Sequence, residues 1–365
     1  MLSVVGVGED EQQILTMSKL SFVPRMLPGA QHLLKPQRPR VLAPSIARAT
    51  GVWSGFDRDY IGHLAHVIIG GAPKTFEVRC IRIRRDFRES ATAIKTTGPL
   101  ALLALFGFLL ALGLIALAAV YRDGYALIAV VLVSLASTLG GIAYHGKIPL
   151  DPRPSELNVL KGDVVVRWPN GSFTVVKCSQ MVAEQLFFGP DTIFYNIRNR
   201  HLFRLTTVLA MAHLFLGSIL IANATAILQL AFVATYAILI LSYGVVSALP
   251  PRIHWTSAVF HVEEEGFEDD EDADNDSFTQ ALWKVIVLTQ AIQWVARGDA
   301  APRTRVWSYW LEEAIEKAKG HARELEDENG ITRWKVPDWD PQQALREALE
   351  DPELNPDLPA SSKRM

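Results

Sequence analysis

The sequence predicts a membrane all-α fold: four transmembrane helices paired as two helical hairpins, with small cytoplasmic β-hairpin elements and an α-helical cytoplasmic tail. Two charge-free stretches and the placement of the bases carry this expectation. Between Arg204 and Arg252 the chain runs 47 residues without a charged side chain. About 20 apolar residues cross a bilayer's hydrocarbon core as a helix, so this stretch holds two crossings and a tight turn. Upstream, residues 96–121 and 124–146 are uncharged and are parted only by Arg122 and Asp123. Lys and Arg number 14 in residues 1–97, 8 in 146–204 and 13 after 249, against Arg122 alone in the first inter-span turn and none in the second. Bases collect on the cytoplasmic side of membrane proteins. The count therefore predicts an integral, multi-pass protein with both termini in the cytoplasm (N-in, C-in).

Residues 1–55 read as a disordered basic arm. Glu9, Asp10 and Glu11 stand where a secretory signal would be basic, and Pro24, Pro28, Pro36, Pro39 and Pro44 oppose the amphipathic helix of a transit peptide. Residues 56–97 read as a cytoplasmic segment with a β-hairpin, its strands at 64–69 and 75–83 around Gly70-Gly71-Ala72-Pro73. The first transmembrane hairpin covers 98–145, with spans at about 98–121 and 124–145. Residues 146–203 form a cytoplasmic loop. Within it Asn170-Gly171, set between valine-rich runs, predicts a type I′ hairpin in which Trp168 faces Phe173, Val166 faces Val175 and Val164 faces Lys177. A short helix is expected near 179–188. The second transmembrane hairpin covers 204–249 and is closed by Pro250-Pro251, which cannot continue a helix. An offset of 97 aligns Val67 with Val164, Phe76 with Phe173 and Val78 with Val175, the pattern a duplicated unit of hairpin plus two spans would leave.

The formal net charge of −3 hides an asymmetry: residues 1–249 sum to +9 and residues 250–365 to −12. Ten acids in residues 263–276 predict a solvated linker, so 250–276 reads as an acidic connector. Residues 277–350 read as an amphipathic helical tail. Ser277 and Gln280 make a capping box that opens a helix running to Arg297, with Gly298 as its stop. A second helix over about 306–325 places Trp307, Trp310, Leu311 and Ala314 on one face, and a third starts at Asp340-Pro341. The helix over 278–297 is too polar for a fifth span and too apolar to stand alone in water, so it is predicted to lie along the cytoplasmic face of the bundle. Residues 351–365 read as a disordered C-terminus.

Few residues invite a functional reading. His213 is the one ionisable group deep in a span, and it shares a helix face with Ala210 and Gly217, which aims it at a neighbouring helix. Arg82, Arg84, Arg85 and Arg88 before the first span, and Arg200 and Arg204 before the third, are candidates for binding anionic lipid headgroups, although setting topology alone explains them. His63 and His66 stand three apart with no acid or thiol to complete a metal set, and the acids at 270–274 lack the Gly and Glu of a calcium loop. No metal site, cofactor or catalytic residue is predicted. Cys80 and Cys178 form neither a disulfide framework nor a CxxC pair and read as buried thiols. No P-loop, nucleophile elbow or dinucleotide fingerprint occurs.

The run from Gly162 to Cys178, GDVVVRWPNGSFTVVKC, ahead of Leu186-Phe187-Phe188-Gly189, resembles a segment of uncharacterised multi-pass membrane proteins of filamentous fungi. The resemblance covers residues 60–250 and implies no activity. The expected function is a non-catalytic membrane anchor or adaptor. Its partners are the bilayer, anionic lipid and either a protein or a second copy of the chain, and not nucleic acid. The alternative is a small oligomeric transporter or channel subunit, for which the polar lining available in the second hairpin is thin.

Overall fold

In the computed structural model the described residues are 22–26, 38, 40–87, 91–92, 98–150, 160–250, 253–254, 259–267, 274–321, 323–326 and 332–355. They divide into two units, each built from separated stretches of chain.

The first unit draws on residues up to 42, 89–151 and 192–257. It holds four helices long and apolar enough to cross a membrane: α2 (Pro99–Val120), α3 (Gly124–Tyr144), α5 (Arg200–Ala222) and α6 (Ala226–Ser247). Helix α3 packs most closely on α5, while α2 lies against both α3 and α6. Small residues make the α3–α5 approach possible. Ala129, Ala136, Gly140 and Gly141 of α3 are buried, as are Ala210 and Gly217 of α5. Asp123 caps α3 by accepting from the Ala126 N–H at 3.1 Å, and it also accepts from the Thr225 N–H at 2.7 Å. One carboxylate thus ties the two inter-helix turns together. A small three-stranded sheet, β4 (Ala91–Thr92), β5 (Gly146–Pro149) and β8 (Phe194–Tyr195), completes the unit.

The basic arm predicted as disordered is in part ordered here. Met26 is fully buried among Ala111, Leu114, Val130, Val133 and Leu239, and the Arg25 N–H donates to Ser137 Oγ at 3.0 Å. Arg38 donates to the carbonyls of Ala143 (3.1 Å) and Ile197 and stacks over the rings of Tyr195 and Phe203. Residues 1–21 fall outside the described set.

The second unit, from residues 43–88, 152–191 and 258 onward, corrects the all-α expectation. Its centre is an eight-stranded mixed sheet. The strands are β1 (Arg48–Gly51), β2 (Asp57–Arg58), β3 (Val78–Arg85), β6 (Val164–Arg167), β7 (Phe173–Lys177), β9 (Phe260–Phe267), β10 (Arg323–Glu326) and β11 (Thr332–Lys335), in the order β10-β11-β9-β3-β7-β6-β1-β2. The β3–β7 and β9–β11 pairs are parallel. Val164, Val165 and Val166 are all buried, as are Phe173 to Val176, so neither face of the central strands meets water. One face carries α7 (Phe278–Thr289), α8 (Gln293–Arg297), α9 (Arg305–His321) and α10 (Pro341–Glu350). Helices α1 (His63–Ile69) and α4 (Gln180–Ala183, continued by a π turn over Glu184–Phe188) pack on β9 and β3.

Four local expectations change. Residues 64–69 form helix α1 rather than a strand, burying Leu64, Ala65, Val67, Ile68 and Ile69 at helical spacing. The two halves of the supposed duplication therefore differ. The 164–177 hairpin exists, but its register is Arg167 opposite Phe173 and Val165 opposite Val175, one residue from the predicted pairing. The turn is a three-residue loop: the Gly171 N–H donates to the Trp168 carbonyl at 3.1 Å, and within the loop only Gly171 takes a positive φ, +80°. Pro169 suits the second position of a type I turn, and that turn followed by a left-handed glycine replaces the type I′ form. With both faces buried, a one-residue slip strands no side chain in water, so the apolar pattern could not fix the register. Residues 260–267 of the supposed acidic linker form β9; residues 268–273 fall outside the described set.

The tail is a core rather than a membrane-surface helix. Helix α7 ends at Gln290, whose left-handed backbone (φ 52°) breaks the predicted 278–297 helix before α8. All of Ala281–Thr289 is buried. Trp283, Trp310 and Trp339 interlock, with ring centroids 4.6 and 5.7 Å apart, and the Trp310 indole donates to the Pro341 carbonyl at 2.9 Å. The capping expectations fit the helix starts: Ser277 accepts from the Gln280 N–H, and Asp340 accepts from the Gln342 and Gln343 N–H groups. The tail also supplies strands β10 and β11.

Candidate functional site

The most chemically distinctive place among the described residues is a cleft of about 800 Å³ in the second unit, at the carboxyl ends of the parallel strands β3 and β7. Open α/β sheets often bind ligands at this end of their strands, because the strands stop there while the connecting chain diverges. Arg82 to Arg85 close β3, and Lys177 to Ser179 close β7 and the turn after it. Lys161, Asp163 and Trp53 come from the flanking loops, Thr289 and Gln290 from the end of α7, and Trp334 from β11.

A buried charge network sets the floor. The Glu265 side chain, 2% exposed, pairs with Arg82 and accepts from the Trp334 indole N–H (3.3 Å) and the Cys80 thiol (3.4 Å). Lys177 donates to the Leu288 carbonyl, lies 3.6 Å from Asp163 and sits 5.1 Å from the Trp334 ring centroid. The Leu288 carbonyl belongs to the last turn of α7, where a cation meets the negative end of the helix dipole. Asp163 accepts from the Trp53 indole (3.3 Å) and the Cys178 N–H (3.3 Å). Burial, then the neighbouring Glu265, pushes the Cys80 thiol well above its ordinary pKa; burial and Asp163 do the same to Cys178. Both sulfurs stay protonated, and among the described residues no histidine lines the cleft.

The basic cluster before the first span is therefore part of a sheet. Arg79, Arg82 and Arg84 of β3 meet Glu264, Glu265 and Glu263 of the antiparallel strand β9. Arg85 is buried and donates to Gln185 Oε1. Arg88 falls outside the described residues, and Arg200 and Arg204 are exposed in the first turns of α5. Arg82, Arg84 and Arg85 of the six candidates line one cleft. The His213 Nδ1 lies 2.7 Å from the Leu209 carbonyl of its own helix, while Gly217 of the same helix faces Ala129 and Val133 of α3 and Ala210 is buried. His66 is partly buried, edge-on to Trp168. Among the described residues no group of three or more His, Cys, Asp or Glu side chains could hold a metal ion.

Sequence reasoning missed Asp163, Lys177, Glu265, Trp53 and Trp334 as site residues. The one available signal was charge complementarity between the Arg run at 79–85 and the Glu run at 263–265, separated by about 180 residues. It also missed Arg25, a cation buried between helices of the first unit. Comparison with protein-family models, curated proteins and solved structures finds no match for the chain, so the functional reading rests on geometry.

Proposed function

We propose that the chain is a non-catalytic membrane anchor whose two helical hairpins tether a mixed α/β binding domain on the cytoplasmic side. The observation that carries this reading is the discontinuous make-up of the second unit. Strand β3 precedes the first helical hairpin, β6 and β7 lie between the hairpins, and β9 follows the second. A hairpin that enters a bilayer and returns leaves its flanking segments on one side, which is what a shared sheet demands. The scarcity of bases in the inter-helix turns supports placing that side in the cytoplasm. The protonated thiols and the absence of histidine from the cleft lining support binding over catalysis.

The test is labelling of single cysteines with a membrane-impermeant reagent in intact cells. Tyr121→Cys, at the turn of the first hairpin, is expected to label directly. Lys319→Cys, exposed on α9, is expected to label only after permeabilisation. Labelling of both from the same side would overturn the arrangement. The alternative of a small transporter or channel subunit draws on Arg25, since a cation buried among apolar helices commonly marks a solute path. Anion flux through reconstituted protein, abolished in Arg25→Gln, would favour it.

A further inference from the structure

We infer that residues 22–26 enter the helical bundle of the first unit as a re-entrant plug, seated between α2, α3 and α6, and that the plug shuts a hydroxyl-lined crevice in the bundle interior. The inference rests on the four long helices crossing a membrane, a premise that the anchor and transporter readings share and that the test checks separately.

Three contacts trace the path of the arm. Asp123 accepts from the Thr225 N–H, so the two inter-helix turns lie at one end of the bundle. The Tyr144 end of α3 and the Ser247 end of α6 lie at the other. At that second end the Phe22 ring packs on His145, with centroids 4.9 Å apart. The Arg25 N–H reaches Ser137 Oγ at 3.0 Å, seven residues and about 10 Å inside α3. Met26 goes deeper, to Val133 and Leu239, which stand about 17 and about 12 Å from the Tyr144 and Ser247 ends. By Arg38 the chain is back at the rim, where the guanidinium donates to the Ala143 carbonyl at 3.1 Å. The hydrocarbon core of a bilayer is about 30 Å thick, so the tip at Met26 stands well inside it.

Irregular backbone at that depth is tolerated only where protein surrounds it. The segment meets this condition, with Arg25 3% exposed and Met26 fully buried. Gly107 of α2 makes the seat. A Cβ there would lie 3.5 Å from both Arg25 Cβ and the Met26 carbonyl oxygen, and 3.6 Å from Leu239 Cδ2. A larger side chain would take the arm's place. The wall beside the arm carries hydroxyls. Ser137 holds the Arg25 backbone, and Tyr243 of α6 bonds the Arg25 side chain. Ser134, one turn deeper and 6% exposed, has a hydroxyl with no hydrogen-bond partner among the described residues. Polar groups set inside a span mark places that something polar reaches. The seat is also one that can empty. Helix α6 lies chiefly against α2 and touches α5 little, so the arm, rather than helix–helix packing, fills the space between α3 and α6. A flexible thioether fills such a space without a unique fit, which suits a plug that seats and withdraws.

The test labels single cysteines with a membrane-impermeant maleimide in full-length protein held in nanodiscs, with the wild-type chain as background for Cys80 and Cys178. Phe22→Cys, at the rim, should label quickly. Met26→Cys and Ser134→Cys should label at least about tenfold more slowly, since a buried thiol reacts only on local opening. Met26→Asp puts a carboxylate into an apolar seat, where it is costly. It should release the arm and raise the labelling of Ser134→Cys about tenfold, while Met26→Leu should not. Tyr121→Cys, at a turn, should label in every background, and Leu216→Cys, exposed on α5 to hydrocarbon, in none. Labelling of Leu216→Cys in the otherwise native chain would remove the membrane premise and the plug with it. Labelling of Leu216→Cys only beside Met26→Asp would mark unfolding by that variant, and Gly107→Phe, which fills the seat with an apolar ring, then serves in its place. Met26→Cys labelling as fast as Phe22→Cys would overturn the plug. So would unchanged protection of Ser134→Cys in both Met26→Asp and Gly107→Phe.

Discussion

Gly217→Ala tests whether the α3–α5 crossing is as close as described. A Cβ at position 217 would stand 2.8 Å from Val133 Cγ2 and 3.2 Å from the Ala129 carbonyl oxygen. Non-bonded carbons rest about 3.5–4.0 Å apart, so the methyl must displace Val133 by most of an ångström. Val133 is buried and β-branched, with few rotamers to turn to. The carbonyl belongs to the α3 backbone and moves only if the helices part. Overpacking of this kind costs about 1–3 kcal/mol. Against it stands the gain from replacing a mid-helix glycine by alanine, about 1 kcal/mol in water. The expected net effect is a loss of up to about 2 kcal/mol, read as a lower midpoint in denaturing-detergent or thermal unfolding of the purified protein. Gly113 and Gly244 lie in α2 and α6 with nothing within 4 Å of the added methyl. Gly113→Ala and Gly244→Ala should therefore be neutral or stabilising. If all three variants unfold alike, the close crossing at Gly217 is wrong.

Two further outcomes concern the second unit. Gly171→Ala forces a side chain into φ +80° and sets a methyl 2.7 Å from Phe76 Cε1, so it should lower thermal stability by about 1–3 kcal/mol, while Gly71→Ala, which meets nothing within 4 Å, should not. Burial holds the His66 pKa below the ordinary histidine value. The unfolded chain then takes up a proton that the folded one resists, so this contribution is complete above the unfolded pKa of about 6.5 and falls as pH drops through it. Between about pH 7.5 and about pH 5.5 the melting temperature should fall less in His66→Gln than in wild type; an equal or steeper fall in the variant would refute the assignment.

What could be read from the sequence follows the range of the forces involved. Spans α2, α3, α5 and α6 were legible because a run of lipid-compatible side chains is a local property, and α5 differs from expectation mainly in starting near Arg200 rather than Arg204. The caps at Ser277 and Asp340 were legible because a cap is settled within four residues. The sheet was not. Strand β3 pairs with β7, 95 residues ahead of it at Val78 opposite Phe173, and with β9, 185 residues ahead at Cys80 opposite Glu265. No local pattern in 78–85 states either partner. Its alternating Arg and Ile look the same in an amphipathic edge strand and in a basic segment beside a membrane. Helix α7 misled for a related reason: its apolar content was visible, but whether lipid or a β-sheet covers it depends on residues elsewhere in the chain. The cleft inherits this difficulty, since Arg82, Lys177, Glu265 and Trp334 meet only once β3, β7, β9 and β11 are adjacent.

The same residues can serve two purposes at two times. As the chain is made, Arg79, Arg82 and Arg84 precede the first apolar helix while their partners Glu264, Glu265 and Glu263 do not yet exist. At that moment these glutamates cannot answer the arginines, and under the proposed topology the arginines would bias which side of a bilayer the segment keeps. After the fourth helix, β9 arrives and its glutamates pair with them. A basic segment beside the first apolar helix thereby becomes part of a sheet and the wall of a cleft. The order also supplies a check on insertion. If either helical hairpin crossed once instead of twice, β9 and β3, or β7 and β3, would be on opposite sides of the membrane. The buried Glu265 would then lose Arg82 and Cys80 of β3, at a cost of several kcal/mol for an unpaired buried charge. Correct crossing and a complete sheet are on this argument one condition, so a variant that inverts a hairpin should be recovered as unfolded protein rather than as a stable isomer.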